Sequence, residues 1–205
     1  LFMATIKGTV KKTALKDFAN IRTNGLNAIN LDEGDELRWI QETNGSQDII
    51  ISTSAGQAVR FNENHVRAMG RAARGVRGVR LRPDDNVVGM DVVGDDKQKL
   101  LVIAANGYGK KTKIANFEVK NRGGIGVKAA VVTAKTGPIV SVKTLPDNVC
   151  DALMISNGGQ TIRVSLKDIP TLGRTTQGVR IMKMSAGDSV ASVGLMEDNK
   201  EEEEE

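Results

Sequence analysis

The sequence predicts an all-β, propeller-like wheel. Three observations carry that prediction: a four-fold internal repeat of about 50 residues, short apolar stretches inside each repeat, and no sustained apolar spacing at three and four residues. Four segments run from an apolar stretch through a glycine turn to a basic position: FMATIKGTVKK, IIISTSAGQAVR, LVIAANGYGKK and LMISNGGQTIR. Their glycines, Gly8, Gly56, Gly107 and Gly159, are spaced by 48, 51 and 52 residues. Each is followed after 17 to 19 residues by a second anchor, TNGLNAINL, ARGVRGVRL, GIGVKAAVV and TQGVRIMKM, with Gly25, Gly75, Gly126 and Gly178.

Within a unit the elements follow in a fixed order. The first apolar stretch and the segment after its glycine read as a hairpin of two strands, rich in Val, Ile and Thr and divided by a turn residue. The second anchor reads as a shorter strand. Ten residues beyond it come Asp35, Asp85, Thr136 and Asp188, turn positions leading into a last strand, LRWI, NVVGMDVV, PIVSVKTL or SVASVGLM. Residues 13–21, with Leu15, Phe18 and Ile21, are the one stretch that could form a helical turn or two. Three to four strands per unit and a period near 50 define blades that bury their faces only against their neighbours. The units run approximately over 1–47, 48–98, 99–150 and 151–195, and the apolar runs at 49–51, 100–103 and 153–155 are predicted core.

Charge narrows the function classes. The formal net charge of +4 divides unevenly, because residues 196–205 hold seven acids and one base, which leaves 28 bases against 18 acids in the body. A body of +10 beside a tail of −6 suggests a polyanionic partner, with the tail as a solvated, disordered segment able to fold over the same surface. A single thiol, Cys150, excludes a disulfide scaffold and a cysteine-built zinc site; without a secretory leader it points to the cytoplasm. No apolar run reaches the roughly 18 residues that span a bilayer. The chain opens on Leu1 and an apolar stretch, which points to a piece of a longer protein.

The cations repeat with the blades. Four residues after each first glycine stand Lys12, Arg60, Lys111 and Arg163. Four before the second glycine stand Arg71, Arg122 and Arg174, with Arg22 one place out of register; two after it stand Asn27, Arg77, Lys128 and Arg180; five after it stand Asn30, Arg80, Val131 and Lys183. A feature repeated once per blade lies on one rim, so the wheel carries a positive belt able to follow a duplex backbone without reading bases. Wrapping stiff duplex costs on the order of 1–6 kcal/mol per 40–90° of bend, so contacts must be spread over several blades. The densest cluster, Arg67, Arg71, Arg74, Arg77, Arg80 and Arg82, lies in one loop and strand of the second unit. Only six aromatic residues are present, which argues for duplex rather than single strands gripped by stacking. A scaffold that binds an acidic protein through the same rim is the alternative from another class.

The runs FMATIKGTVKKTALKDF, FNENHVRAMGRAARGVRGVRL, NGYGKKT and GRTTQGVRIMKM closely resemble the C-terminal domain of bacterial DNA gyrase A, over essentially the whole chain. The resemblance implies a β-pinwheel whose blades exchange strands, here like the last four of six, with a basic outer rim that binds and bends duplex DNA. It implies no catalysis by this chain itself and no cofactor or metal: the active site of such a topoisomerase, its ATPase, the remainder of gyrase A and all of gyrase B lie elsewhere in the holoenzyme, in the bacterial cytoplasm at the nucleoid. The family's seven-residue box of glutamine, basic and glycine residues has no counterpart; GRAARGVRG at 70–78 has similar chemistry but aligns with a later blade. The related subunit of topoisomerase IV, usually more degraded in its repeats, is the nearest alternative. The rim cations of the matching motifs are Lys11, Lys12, Arg60, Arg67, Arg71, Arg74, Arg77, Arg80, Lys110, Lys111, Lys113, Arg122, Lys128, Arg163, Arg174 and Arg180, implied as backbone-neutralising contacts.

Other constellations fail on their chemistry. His65 is the only histidine, in a polar loop, so no Ser, His and Asp set can be built around it, and it reads as a surface or capping residue. Cys150 borders an apolar strand and reads as a small core residue. NGYGKKT lacks the P-loop pattern: Ala104 stands where the first glycine belongs and Lys111 where Ser or Thr belongs. The pairs Asp84 with Asp85 and Asp95 with Asp96 read as solvated turn residues, and Tyr108, beside a basic turn, as a turn residue within reach of a backbone.

Overall fold

The computed structural model describes residues 1–21 and 23–197; Arg22 and residues 198–205, which hold most of the acidic tail, lie outside them. The first unit supplies β1 (Phe2–Thr5), β2 (Thr9–Lys12) and β3 (Leu37–Gln41), and the second β4 (Asp48–Thr53), β5 (Gln57–Asn62), β6 (Val76–Arg77) and β7 (Val87–Val93). The third supplies β8 (Lys99–Ala104), β9 (Tyr108–Lys113), β10 (Val127–Lys128) and β11 (Ile139–Leu145). The fourth supplies β12 (Val149–Ser156), β13 (Thr161–Ser165), β14 (Val179–Arg180) and β15 (Val190–Glu197). The possible helix at 13–21 is one 3-10 turn, Leu15–Phe18.

The four sheets have the orders β3-β1-β2-β6, β10-β5-β4-β7, β11-β8-β9-β14 and β13-β12-β15. The two-residue strand of each later unit therefore crosses into the preceding sheet. β6 pairs antiparallel with β2, β10 with β5 and β14 with β9, in one register: Val76 opposite Val10, Val127 opposite Ala58, Val179 opposite Gly109. Glycine at the head of each donated strand is a steric requirement. Gly75 has φ +97°, and a Cβ there would lie 2.6 Å from the Val10 carbonyl oxygen.

The apolar runs carry two faces because each blade lies between two others. Ile49 and Ile51 join Phe2, Ala4, Val10 and Phe61 in the core between the first two sheets, whereas Ile50 joins Leu100, Val102 and Phe117 in the next. Leu101 and Ile103 face Ala152, Met154 and Met182 in the third core. Alternation along a strand sends successive side chains to opposite faces, and both are buried, which makes a continuous apolar run the right pattern. In the fourth sheet only one face is covered: Met154 is fully buried, but Ile155 is 37% exposed, contrary to its prediction as core.

Consecutive sheets meet along β3, β7, β11 and β15, the hub side. Asp91 on β7 ties three of these strands together, accepting from Gln41 Nε2 (3.3 Å) and the Thr144 amide (2.7 Å); burial pushes its carboxyl above the usual range. The turn residues ten beyond the second glycine clip each hairpin to its last strand. Asp35 accepts the Lys7 amide, Asp85 the Ser54 hydroxyl and Ala55 amide, Asp188 the Ser156 hydroxyl and Gly158 amide. Asp85 is thus half-buried and bonded rather than freely solvated. Asp96 is exposed but pairs with Arg60 at 2.7 Å. Cys150 is half-buried within β12 itself.

Candidate nucleic-acid interface

The periodic cations fall into two structural sets. In the first three units the row four residues after each first glycine, with the lysines before it, works between blades; its fourth member, Arg163, is exposed and pairs with Asp151 of its own sheet. Lys11, Arg60, Lys110 and Lys111 are 0%, 8%, 1% and 8% exposed, which corrects their prediction as rim cations open to an outside ligand. The Lys11 ammonium donates to the carbonyls of Ala28 and Arg71. Lys110 Nζ donates to the carbonyls of Gly173 (2.7 Å) and Arg174 (2.8 Å) and to Thr176 Oγ1, and Lys111 Nζ to the Leu166 carbonyl. Arg60 reaches the Phe117 carbonyl and the carboxylates of Asp48 (2.8 Å) and Asp96. Their main chains form parallel bridges to the next unit, Lys12 with Ala68, Arg60 with Val119 and Lys111 with Thr171. These cations recur because blades recur: each caps loop carbonyls of its successor.

Burial shows in their acidity. Burial, with Arg174 nearby, pushes the Lys110 ammonium down to about 8. Burial lowers Lys11 and Lys111 as well, helped by Arg71 and Lys99 respectively. Lys12 is mostly covered and pairs at 3.3 Å with Glu63, a fully buried carboxylate. Burial drives Glu63 upward, but the Gln47 amide, the Thr43 hydroxyl and Lys12 together hold it below the usual range.

The rows around the second glycine lie on the opposite edge from the hub. Arg77, Lys128 and Arg180 end the three donated strands, and all three are exposed. The loops around them form a ladder from unit to unit. The amides of Asn30, Arg80 and Val131 donate to the carbonyls of Ala73, Gly124 and Thr176, so the residue five after one second glycine binds the residue two before the next. Arg122 Nη1 donates to the Arg77 carbonyl (2.9 Å) and Arg174 Nη1 to that of Lys128 (3.1 Å). Arg122 and Arg174 are therefore half-buried stitches along this ladder. Arg71 is half-buried at the equivalent place.

Arg67, Arg77, Arg80, Lys113 and Lys128 are exposed, with no acid within salt-bridge distance among the described residues. Arg74 and Arg163 are exposed but already paired, with Asp32 and Asp151, so neither presents a free charge; each guanidinium is held above its ordinary value by its carboxylate. Arg180 donates to the Tyr108 hydroxyl at 3.3 Å, and that hydrogen bond, with Lys135 Nζ 5.4 Å above the ring, pulls the phenol below its ordinary range. Arg82, the last member of the predicted dense cluster, is exposed, and so are Lys135 and Lys183, which were not among the predicted contacts. Lys183 carried a legible signal, since it occupies the row five after the second glycine.

His65 is exposed at the end of a 3-10 turn, where its carbonyl accepts from Arg122 Nε. The described residues contain no group of three or more His, Cys, Asp or Glu side chains placed to hold a metal ion. Nor do they contain a helix long and apolar enough to cross a membrane.

Strand-exchanging sheets around a hub, with unpaired cations on the outer edge, define a basic β-pinwheel. Residues 1–44, 47–94, 98–146 and 151–195 match the family model described as "DNA gyrase C-terminal domain, beta-propeller". The chain belongs to that family. It is 41% identical over 194 residues to the DNA gyrase A of Staphylococcus epidermidis, covering 94% of this chain and 22% of that protein. It is 39% identical over 206 residues to the DNA gyrase A of Staphylococcus aureus MRSA252, covering 100% and 23%. The chain thus spans under a quarter of the length of these relatives. Among solved structures, the C-terminal domain of DNA topoisomerase IV superposes with a TM-score of 0.90 at 26% identity, over 96% of this chain and 61% of that one. A DNA gyrase A C-terminal domain superposes with 0.83 at 23% identity, over 95% and 64%, a likeness of fold.

Proposed function

We propose that this chain is a non-catalytic domain of a DNA gyrase A that binds duplex DNA along its outer edge and bends it, in support of ATP-dependent negative supercoiling by a holoenzyme formed with gyrase B. The observation that carries the reading is the continuous ladder of rim loops, which sets the rows four before, two after and five after the second glycine along one edge. Arg67, Arg77, Arg80, Lys113, Lys128 and Arg180 are its contacts, with Arg71, Arg122 and Arg174 shaping the loops that present them. Exposed guanidinium and ammonium groups without acid partners exchange their counterions for phosphates, a sequence-independent mode of binding. The wheel runs to Glu197, the end of β15 and two residues beyond the predicted boundary at 195, and the acidic residues that follow compete with duplex for the same edge. The setting that fits this role is the bacterial nucleoid.

The test is religation of a nicked circular duplex with increasing protein, followed by the linking-number distribution after deproteinisation. Chiral wrapping on this edge shifts the distribution toward positive linking number. An unshifted distribution, with binding confirmed in the same buffer, would refute chiral bending by these four blades.

A further inference from the structure

Two of the three blade junctions among the described residues are closed by a lysine, and the middle one has a cavity in its place. The common register makes Val10, Ala58 and Gly109 equivalent, so the residues that follow them, Lys11, Val59 and Lys110, hold one position. The Lys11 ammonium donates to the Arg71 carbonyl, and the Lys110 ammonium to the carbonyls of Gly173 and Arg174, each in the rim loop of the following unit. At the middle junction the side chain is that of Val59, buried and without a polar atom. A cavity of about 110 Å³ opens there between β5 and the loop at 118–126, lined among others by Ala58, Val59, Phe117, Asn121, Gly124 and Val127.

The loop facing this cavity keeps the acceptors that a lysine caps elsewhere. The backbone bridges of Lys12 with Ala68, Arg60 with Val119 and Lys111 with Thr171 fix the alignment, which sets Asn121 and Arg122 where the last unit has Gly173 and Arg174. Neither the Asn121 nor the Arg122 carbonyl accepts a hydrogen bond among the described residues. The charged side chains around the cavity are committed to other partners. Arg60 holds Asp48, Asp96 and the Phe117 carbonyl, Lys120 pairs with Glu118 at 3.4 Å, and the Arg122 guanidinium donates to the carbonyls of His65 and Arg77. What remains is an apolar wall of Val59, Phe117 and Val127 beside uncapped carbonyl oxygens, the combination that a lysine side chain satisfies at the neighbouring junctions.

We propose that this cavity binds a small primary alkylamine in its protonated form, its ammonium donating to the Asn121 and Arg122 carbonyls and its alkyl chain lying against Val59, Phe117 and Val127. An ammonium has three donors and no acceptor, which suits a pair of carbonyls, and the alkyl chain takes apolar surface out of water. The bound amine does for this junction what Lys11 and Lys110 do for the other two: it ties a rim loop to the strand before it.

The probe is n-butylammonium chloride, which reproduces a lysine side chain beyond Cα. Titrated into the nitrogen-15-labelled chain at neutral pH, with ionic strength held constant by sodium chloride, it should give saturable shifts of the backbone amide signals of Val59 and residues 121–124. Neither 1-butanol, the uncharged analogue, nor potassium chloride, a cation without the alkyl chain, should shift them. Val59→Lys builds the ammonium into the chain and should abolish the response while the rest of the spectrum is retained. Shifts that never saturate, equal shifts with 1-butanol or potassium chloride, or an undiminished response in folded Val59→Lys would each overturn the proposal. The three titrants on the parent chain decide the question whether or not the variant folds.

Discussion

Replacing Arg77 and Arg80 together by glutamine separates rim contacts from structural cations most cleanly. Both side chains are exposed, and only their main chains hold the fold: the Arg77 carbonyl accepts from Arg122, and the Arg80 amide donates to Gly124. Stability should therefore change by no more than about 0.5 kcal/mol. If each guanidinium neutralises one phosphate, the slope of log K against log salt falls in magnitude by about 0.9 per residue, or roughly 1.8 for the pair. Between 50 and 200 mM salt that removes about a 12-fold share of the affinity loss, since a four-fold salt change acts on each contact about 3.5-fold. Fluorescence anisotropy with a labelled duplex of about 40 base pairs at four salt concentrations reads the slope directly. An unchanged slope, with unchanged affinity, would refute the assignment of this edge.

Lys110→Met should leave that slope intact and alter stability instead. The folded ammonium titrates near 8 against an ordinary 10.5, so the folded state binds fewer protons between these values and stability rises with pH there, by about 3 kcal/mol; urea unfolding should show the rise in the parent and not in the variant. Glu63→Gln removes a carboxylate held below its ordinary value. Its contribution is present above the unfolded pKa and lost as pH falls through the lower folded one, so the parent's advantage over the variant should shrink in acid unfolding series as pH falls below the ordinary glutamate value of about 4.3. Gly126→Ala forces a side chain into φ +86° and toward the Ala58 carbonyl, which should cost at least about 1–2 kcal/mol in thermal or urea unfolding. Deleting 201–205 should tighten duplex binding at low salt; equal affinity would make the tail a solubilising segment only.

The blades were legible because each part of a unit has its own local signal. Apolar runs mark strands covered on both faces, and glycines mark turns that need positive φ. The strand exchange was not legible from residues alone, since Val76–Arg77 and its equivalents are two residues long and show no alternation; it came from the family resemblance. The cation period misleads at one row. Lys12, Arg60 and Lys111 recur for the sake of blade-to-blade capping, and a period by itself cannot distinguish an outward row from an inward one. The pairing of Arg74 with Asp32 joins loops 42 residues apart and has no local signature. Ile155 reads as core by composition and is exposed because none of the described sheets covers the face it points to.

The most direct test of the central claim maps which edge of the wheel touches duplex. A benzophenone side chain introduced singly at 77, 128, 180 or 40 is irradiated with duplex DNA. The first three positions end the donated strands on the outer edge, whereas Ile40, itself half exposed, lies on hub strand β3. The account predicts crosslinks at all three outer positions and none at 40. Crosslinking at 40 with silent outer positions would contradict it.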